Sequence, residues 1–121
     1  MTTHPPILVA DDDDVIRQVV VQLLRRLAPG AQIVAVADGA QALAAIQHTR
    51  FGLVITDYHM PGASGLDVLL AARARDPAVP VIVASAQHYL EPSVLAAGAT
   101  AFLPKPFTVE QLSALLRQLL P

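Results

Sequence analysis

The chain has no cysteine, no excess of basic residues and no apolar run of membrane-spanning length. Without cysteine there is no disulfide framework and no thiol chemistry, so a cytoplasmic location is expected. Eight Lys and Arg stand against ten Asp and Glu, a formal net charge of −2 with a pI near 6.0. That balance provides no electrostatic footprint for nucleic acid and no polybasic membrane patch, so neither is expected as a direct partner. Nothing approaches the roughly 18 apolar residues of a membrane span. The start, "MTTHPPILVADDDD", also lacks the charged opening and long apolar stretch of a signal peptide.

What is present is apolar and patterned. The 121 residues suffice for one domain, 1–121, with a real core. A hydrophobic content of 54%, a charged content of 15% and a mean hydropathy of +0.50 argue against disorder. "ILVA", "QIVAVA", "LVIT", "VIVAS" and "AFLP" are short, mostly continuous apolar runs, as expected for strands covered on both faces. Helix-period segments alternate with them, the first placing Ile16, Val20, Leu23, Leu24 and Leu27 on one face of residues 15–27. Asp38 with Gln41, Ser64 with Asp67 and Thr108 with Gln111 are capping-box pairs. They predict helices over 39–49, 65–75 and 109–120. Strand then helix, five times, implies an α/β fold: a (βα)5 doubly wound parallel sheet in the flavodoxin-like order 2-1-3-4-5.

In such a sheet, ligands bind outside the carboxyl ends of the strands. The first strand ends at Asp11 and Asp12, the third at Asp57, the fourth at Ser85, and the fifth runs into Lys105. Taken singly, each has an ordinary reading: an N-cap cluster for the aspartates, as for Asp13 and Asp14, a satisfied hydroxyl, a surface cation. Their convergence changes that reading. Carboxylates forced together raise one another's pKa unless a cation neutralises them, and Lys105 with a divalent metal meets the need.

"ILVADDDD", "LVITDYHMPGASGLDVL", "PVIVASA" and "GATAFLPKPF" together resemble the response-regulator receiver domain of two-component signalling, over nearly the whole chain. The resemblance implies a signalling phosphoacceptor, not a conventional enzyme, that catalyses its own phosphorylation and dephosphorylation. Asp57 would receive a phosphoryl group from a histidine kinase or histidine phosphotransfer protein. Asp12 would ligate Mg²⁺ directly, Asp11 would support it largely through water, and the His59 backbone carbonyl would be a further ligand beside Asp57. Ser85 and Lys105 would hold phosphoryl oxygens, and Phe102 would change rotamer as Ser85 moves, though by itself it reads as a half-buried aromatic. A cis peptide before Pro106 is also implied. Pro61, Gly62 and Gly65 are read as shaping the loop after Asp57. His59 and Gln87 flank the path of attacking water or are simply exposed.

Two rivals follow from the same residues. A phosphohydrolase using an aspartyl phosphate would carry its nucleophile at the end of the first strand, whereas Asp57 ends the third. A pseudo-receiver would lack part of the set Asp11, Asp12, Asp57, Ser85 and Lys105.

On the first helix, Val15, Val19, Gln22 and Arg26 fall beside the core stripe, next to the acidic rim. Val15, Val19 and Gln22 are the expected docking edge for the helical bundle that carries the phosphohistidine, although Val19 also fits a widened core stripe. Between Ser85 and Gly98, "AQHYLEPSVLAA" must supply both a loop and the fourth helix. Pro92 disfavours helical geometry at Glu91 and suits the first helical position, so the helix is expected from Pro92 to about Ala97. This mobile stub depends on packing by Val94 and Leu95, with Tyr89 and Leu90 in the loop before it. A monomer is therefore expected, acting on a downstream protein that the sequence does not identify. Met1 suits a natural start and the end at Pro121 suits truncation, so the chain reads either as a stand-alone regulator or as part of a larger protein.

Overall fold

Helices begin where the capping chemistry places them. In the computed structural model, which describes residues 4–120, Asp38, Ser64 and Thr108 accept backbone N–H groups from Gln41, Asp67 and Gln111. The last two complete reciprocal capping boxes. Gln41 reaches instead to the amide of Ala37. Met1 and Pro121 lie outside the described residues.

The elements alternate throughout: β1 (Ile7–Ala10), α1 (Asp14–Leu27), β2 (Ile33–Val36), α2 (Gly39–His48), β3 (Leu53–Asp57), α3 (Gly65–Arg75), β4 (Val81–Ser85), α4 (Glu91–Ala96), β5 (Ala101–Pro104) and α5 (Val109–Leu119). All strand pairs are parallel, in the order β2-β1-β3-β4-β5. The expected doubly wound architecture is thus the one observed. Strand alternation divides the core in two. Leu8, Val54, Val81, Val83 and Phe102 pack with α2, α3 and α4, while Ile7, Val9, Ile55, Ile82 and Leu103 pack with α1 and α5.

Four sequence expectations are corrected by the fold. Coverage on both faces holds for β1, β3 and β4, but the edge strand β2 is only partly buried. The fourth helix starts at Glu91, not Pro92, and Glu91 has helical φ, ψ of −54° and −50°. A 3₁₀ turn over His88–Leu90 leads into it, so Tyr89 and Leu90 belong to that turn. The restriction that proline puts on its neighbour is overridden because the turn already sets a helical path. Val94 is 1% exposed and anchors the stub, whereas Leu95 is 41% exposed and does not pack.

Candidate functional site

Parallel pairing brings the carboxyl ends of β1, β3, β4 and β5 to one rim. Asp57 is the last residue of β3 and Ser85 the last of β4; Asp11 follows β1 and Lys105 follows β5. The backbone N–H of Lys105 donates to the Ser85 carbonyl at 2.9 Å, and the Lys105–Pro106 peptide is cis. Lys105 Nζ donates to Asp11 Oδ2 at 3.2 Å and lies 3.2 Å from Asp57 Oδ1. The Tyr58 amide donates to Asp57 Oδ1, and the Asp13 amide to Asp11 Oδ1. Asp12 is exposed beside them, and one carboxylate oxygen from each of Asp11, Asp12 and Asp57 falls within 4.8 Å of the others.

The loop after Asp57 is shaped by its glycines. Gly62 adopts φ +87°, and a Cβ on Gly65 would collide with the backbone of Asp57 and Tyr58. The Gly65 amide donates to the Tyr58 carbonyl at 2.7 Å, so α3 begins directly against the end of β3. Only glycine permits both features.

Burial raises the pKa of Asp57 above its ordinary value, outweighing the opposing charge of Lys105, and Asp11 adds to the rise. Burial works against the Lys105 ammonium too, but the carboxylates of Asp11 and Asp57 overcome it and hold its pKa above normal. One lysine therefore faces two largely buried carboxylates, with a third at the mouth. Oxygen donors gathered in this way suit a hard divalent cation. The His59 ring takes no part: its Nε2 is 2.7 Å from Gln87 Oε1.

The remaining predicted residues differ in burial. Ser85 is 1% exposed, and its hydroxyl accepts the Gln87 amide at 3.0 Å. Phe102 is 8% exposed and lies in the core on the face of the sheet that holds Val83, its register partner, so it is buried and not half-buried. Val15, Val19 and Gln22 are exposed on α1. Val19, at 38%, does not widen the core stripe. A groove of about 370 Å³ runs from Val15 and Val19 past Lys105, Pro106 and Phe107 to Val109.

Sequence reasoning passed over three contacts. The Tyr89 hydroxyl donates to Gln87 Oε1, His88 Nε2 lies 3.2 Å from the Lys105 carbonyl, and Arg17 reaches back to the Asp11 carbonyl. Only the last has a local signal, an arginine three residues after Asp14.

Comparison with known proteins agrees with this geometry. Residues 7–117 match the family described as response regulator receiver domain. The transcriptional regulatory protein PrrA of Mycobacterium tuberculosis is 38% identical over 121 residues, covering 98% of this chain and 51% of PrrA. The chain spans about half the length of the first curated relatives it matches. Among solved structures, chemotaxis response regulator CheY4 of Vibrio cholerae superposes with a TM-score of 0.84 at 32% identity, covering 98% of this chain and all, 100%, of that one. The receiver domain of sensor histidine kinase PA1611 from Pseudomonas aeruginosa, solved with a magnesium ion in its active-site cleft, gives a TM-score of 0.81 at 28% identity, covering 97% and 98% of the two chains. With Asp57 at the end of β3 and the acidic pair after β1, the chain belongs to the response regulator receiver domain family.

Proposed function

We propose that this receiver domain accepts a phosphoryl group from a phosphohistidine onto the Asp57 carboxylate, with Mg²⁺ held by Asp11, Asp12, Asp57 and the His59 carbonyl. The observation that carries the proposal is Asp57 itself: a carboxylate at the end of a buried strand, 3.2 Å from an ammonium and grouped with two more carboxylates. The magnesium reported in the PA1611 receiver supports the same assignment here.

An Asp57 oxygen attacks phosphorus, the P–N bond breaks, and its electron pair leaves on the imidazole nitrogen of the donor, which takes up a proton. Bound Mg²⁺ supplies charge neutralisation for the transferred oxygens. Lys105 adds a fixed cation beside the attacking oxygen, and the burial of Asp11 and Asp57 keeps bulk water from screening it. The Ser85 hydroxyl, whose oxygen accepts the Gln87 amide, turns its own O–H to donate to a phosphoryl oxygen, which alters the packing next to Phe102. A change at that buried aromatic is how the charge on Asp57 reaches the surface. The domain catalyses both its own phosphorylation and the later hydrolysis.

Val15, Val19 and Gln22 dock the helical bundle of the kinase or phosphotransfer protein. The apolar groove between α1 and Val109 supports this, since it opens beside Lys105. The proposal keeps the domain in the cytoplasm; no helix among the described residues is long and apolar enough to cross a membrane. Its output is a protein contact. The expectation of no nucleic acid contact is confined to this domain, because relatives named as transcriptional regulators are about twice as long.

The test is phosphorylation by acetyl phosphate or phosphoramidate with Mg²⁺. Wild-type protein should gain one phosphoryl group by mass spectrometry, and Asp57→Asn none. Equal labelling would remove Asp57 as acceptor. Absence of labelling in the wild type would identify a pseudo-receiver, and steady release of phosphate from an added ester would identify a phosphohydrolase.

A further inference from the structure

We propose that Arg17 is a positioning residue for the acidic loop, holding it at both ends so that Asp12 is presented to the metal. The inference rests on the magnesium reading of the Asp11, Asp12 and Asp57 cluster. Arg17 lies in the first turn of α1, with Nη1 donating to the Asp11 carbonyl at 2.8 Å and Nη2 to Asp14 Oδ1 at 2.6 Å. Asp11 is where the chain leaves β1, and Asp14 is where it enters α1. A single guanidinium therefore bridges strand end and helix start, with Asp12 and Asp13 between its two contacts.

The four aspartates are not equivalent within that bracket. Asp11 gives one oxygen to the Asp13 amide and the other to Lys105. Asp13 caps α1 by accepting the amides of Val15 and Ile16. Asp14 is paired with Arg17. Among the described residues, none of the hydrogen bonds or ion pairs engages the Asp12 carboxylate, and its loop neighbours on both sides are tied down.

An exposed i,i+3 ion pair alone would be worth about 0–1 kcal/mol and would carry no functional meaning. The second contact changes the case: the Arg17 side chain is 21% exposed against 84% for Asp14, and it bonds a backbone carbonyl at the sheet edge. Lysine keeps the charge but lacks the planar fork that spans two acceptors.

Arg17 has two opposing effects on a bound dication, and their signs separate them. As a cation it repels the metal, so removing it should tighten binding. As a clamp it preorganises Asp12, so removing it should weaken binding. We infer that the clamp dominates.

The experiment is calorimetric titration of Mg²⁺ into unphosphorylated wild type, Arg17→Gln and Arg17→Lys, with thermal unfolding of the metal-free proteins as the fold check. Both variants should bind about tenfold more weakly, the size typical of groups that orient metal ligands. A purely structural role would lower the unfolding temperature and leave Mg²⁺ affinity unchanged. Unchanged or tighter binding by Arg17→Gln overturns the proposal, as does wild-type affinity in Arg17→Lys. Should Arg17→Gln fail to fold, Arg17→Lys decides by the same criterion. Asp12→Ala separates the two readings: wild-type affinity in that variant ends the magnesium assignment itself. Lost affinity there, beside normal Arg17 variants, leaves the metal site standing and removes only the clamp.

Discussion

His59 Nε2 and Gln87 Oε1 lie 2.7 Å apart, joining the loop after β3 to the loop after β4 across the mouth of the site. The Tyr89 hydroxyl donates to the same Gln87 oxygen at 3.0 Å, so one amide ties two ring side chains together. Gln87→Ala breaks both contacts and widens access to Asp57. Hydrolysis of the acyl phosphate should become several-fold faster, measured as decay of the phosphorylated mass after donor removal. Slower decay would mean that these side chains orient the attacking water instead of restricting it.

Asp57 makes the metal-free fold pH-sensitive in a defined direction. Its pKa is raised by burial from an ordinary 3.8, so the unfolded chain gives up this proton before the folded one does. Stability is therefore lost as pH rises from about 4 through the raised folded value, and it stays lower above that. Asp57→Asn cannot ionise and should unfold at a higher temperature than wild type at pH 7 without Mg²⁺. The gap should narrow towards pH 4, followed by circular dichroism. A less stable variant at pH 7 would show that pairing with Lys105 outweighs the cost of burial.

Local chemistry explains which features were legible in the sequence. Ser64, Asp67, Thr108 and Gln111 cap their own helices within three residues, so the starts of α3 and α5 could be read from spacing alone. Asp57, Ser85 and Lys105 were legible because strand ends in a parallel sheet share one rim. Leu95 was not, since its exposure depends on how a short helix rotates against β5 after a 3₁₀ turn. The same holds for His59 and Gln87, 28 positions apart, whose contact exists only once β3 and β4 are paired.

Docking can be separated from chemistry on α1. Val15 is 71% exposed and borders the groove that ends at Val109. Val15→Glu adds a charge to an apolar rim without touching Asp11, Asp12 or Asp57. Transfer from the cognate phosphohistidine protein should slow at least tenfold if about 1.4 kcal/mol of contact is lost. Labelling by acetyl phosphate should remain near wild type. Equal slowing with both donors would assign the damage to the site and not to docking.

Weak support for α4 bears on the assembly of the domain. The helix has six residues and no side-chain N-cap, and Val94 is its one buried side chain. Helices this short are not stable alone and rely on their surroundings. The loop that follows is better fixed, because Arg73 of α3 donates to the Gly98 carbonyl at 2.8 Å and to Thr100 Oγ1 at 3.2 Å. Those contacts hold the C-terminal side of α4, and its N-terminal side rests on the 3₁₀ turn of His88–Leu90. A dimer formed through α4, β5 and α5 would press on this element and have to order it, which subtracts from the energy of association. The domain should therefore remain largely monomeric by sedimentation velocity when beryllofluoride and Mg²⁺ mimic phosphorylation. Hydrogen exchange should show the 87–97 segment less protected than α3 and α5 in the same sample. A concentration-dependent dimer induced by the mimic, with α4 newly protected, would overturn the expectation and make α4 an element that folds firmly only on assembly.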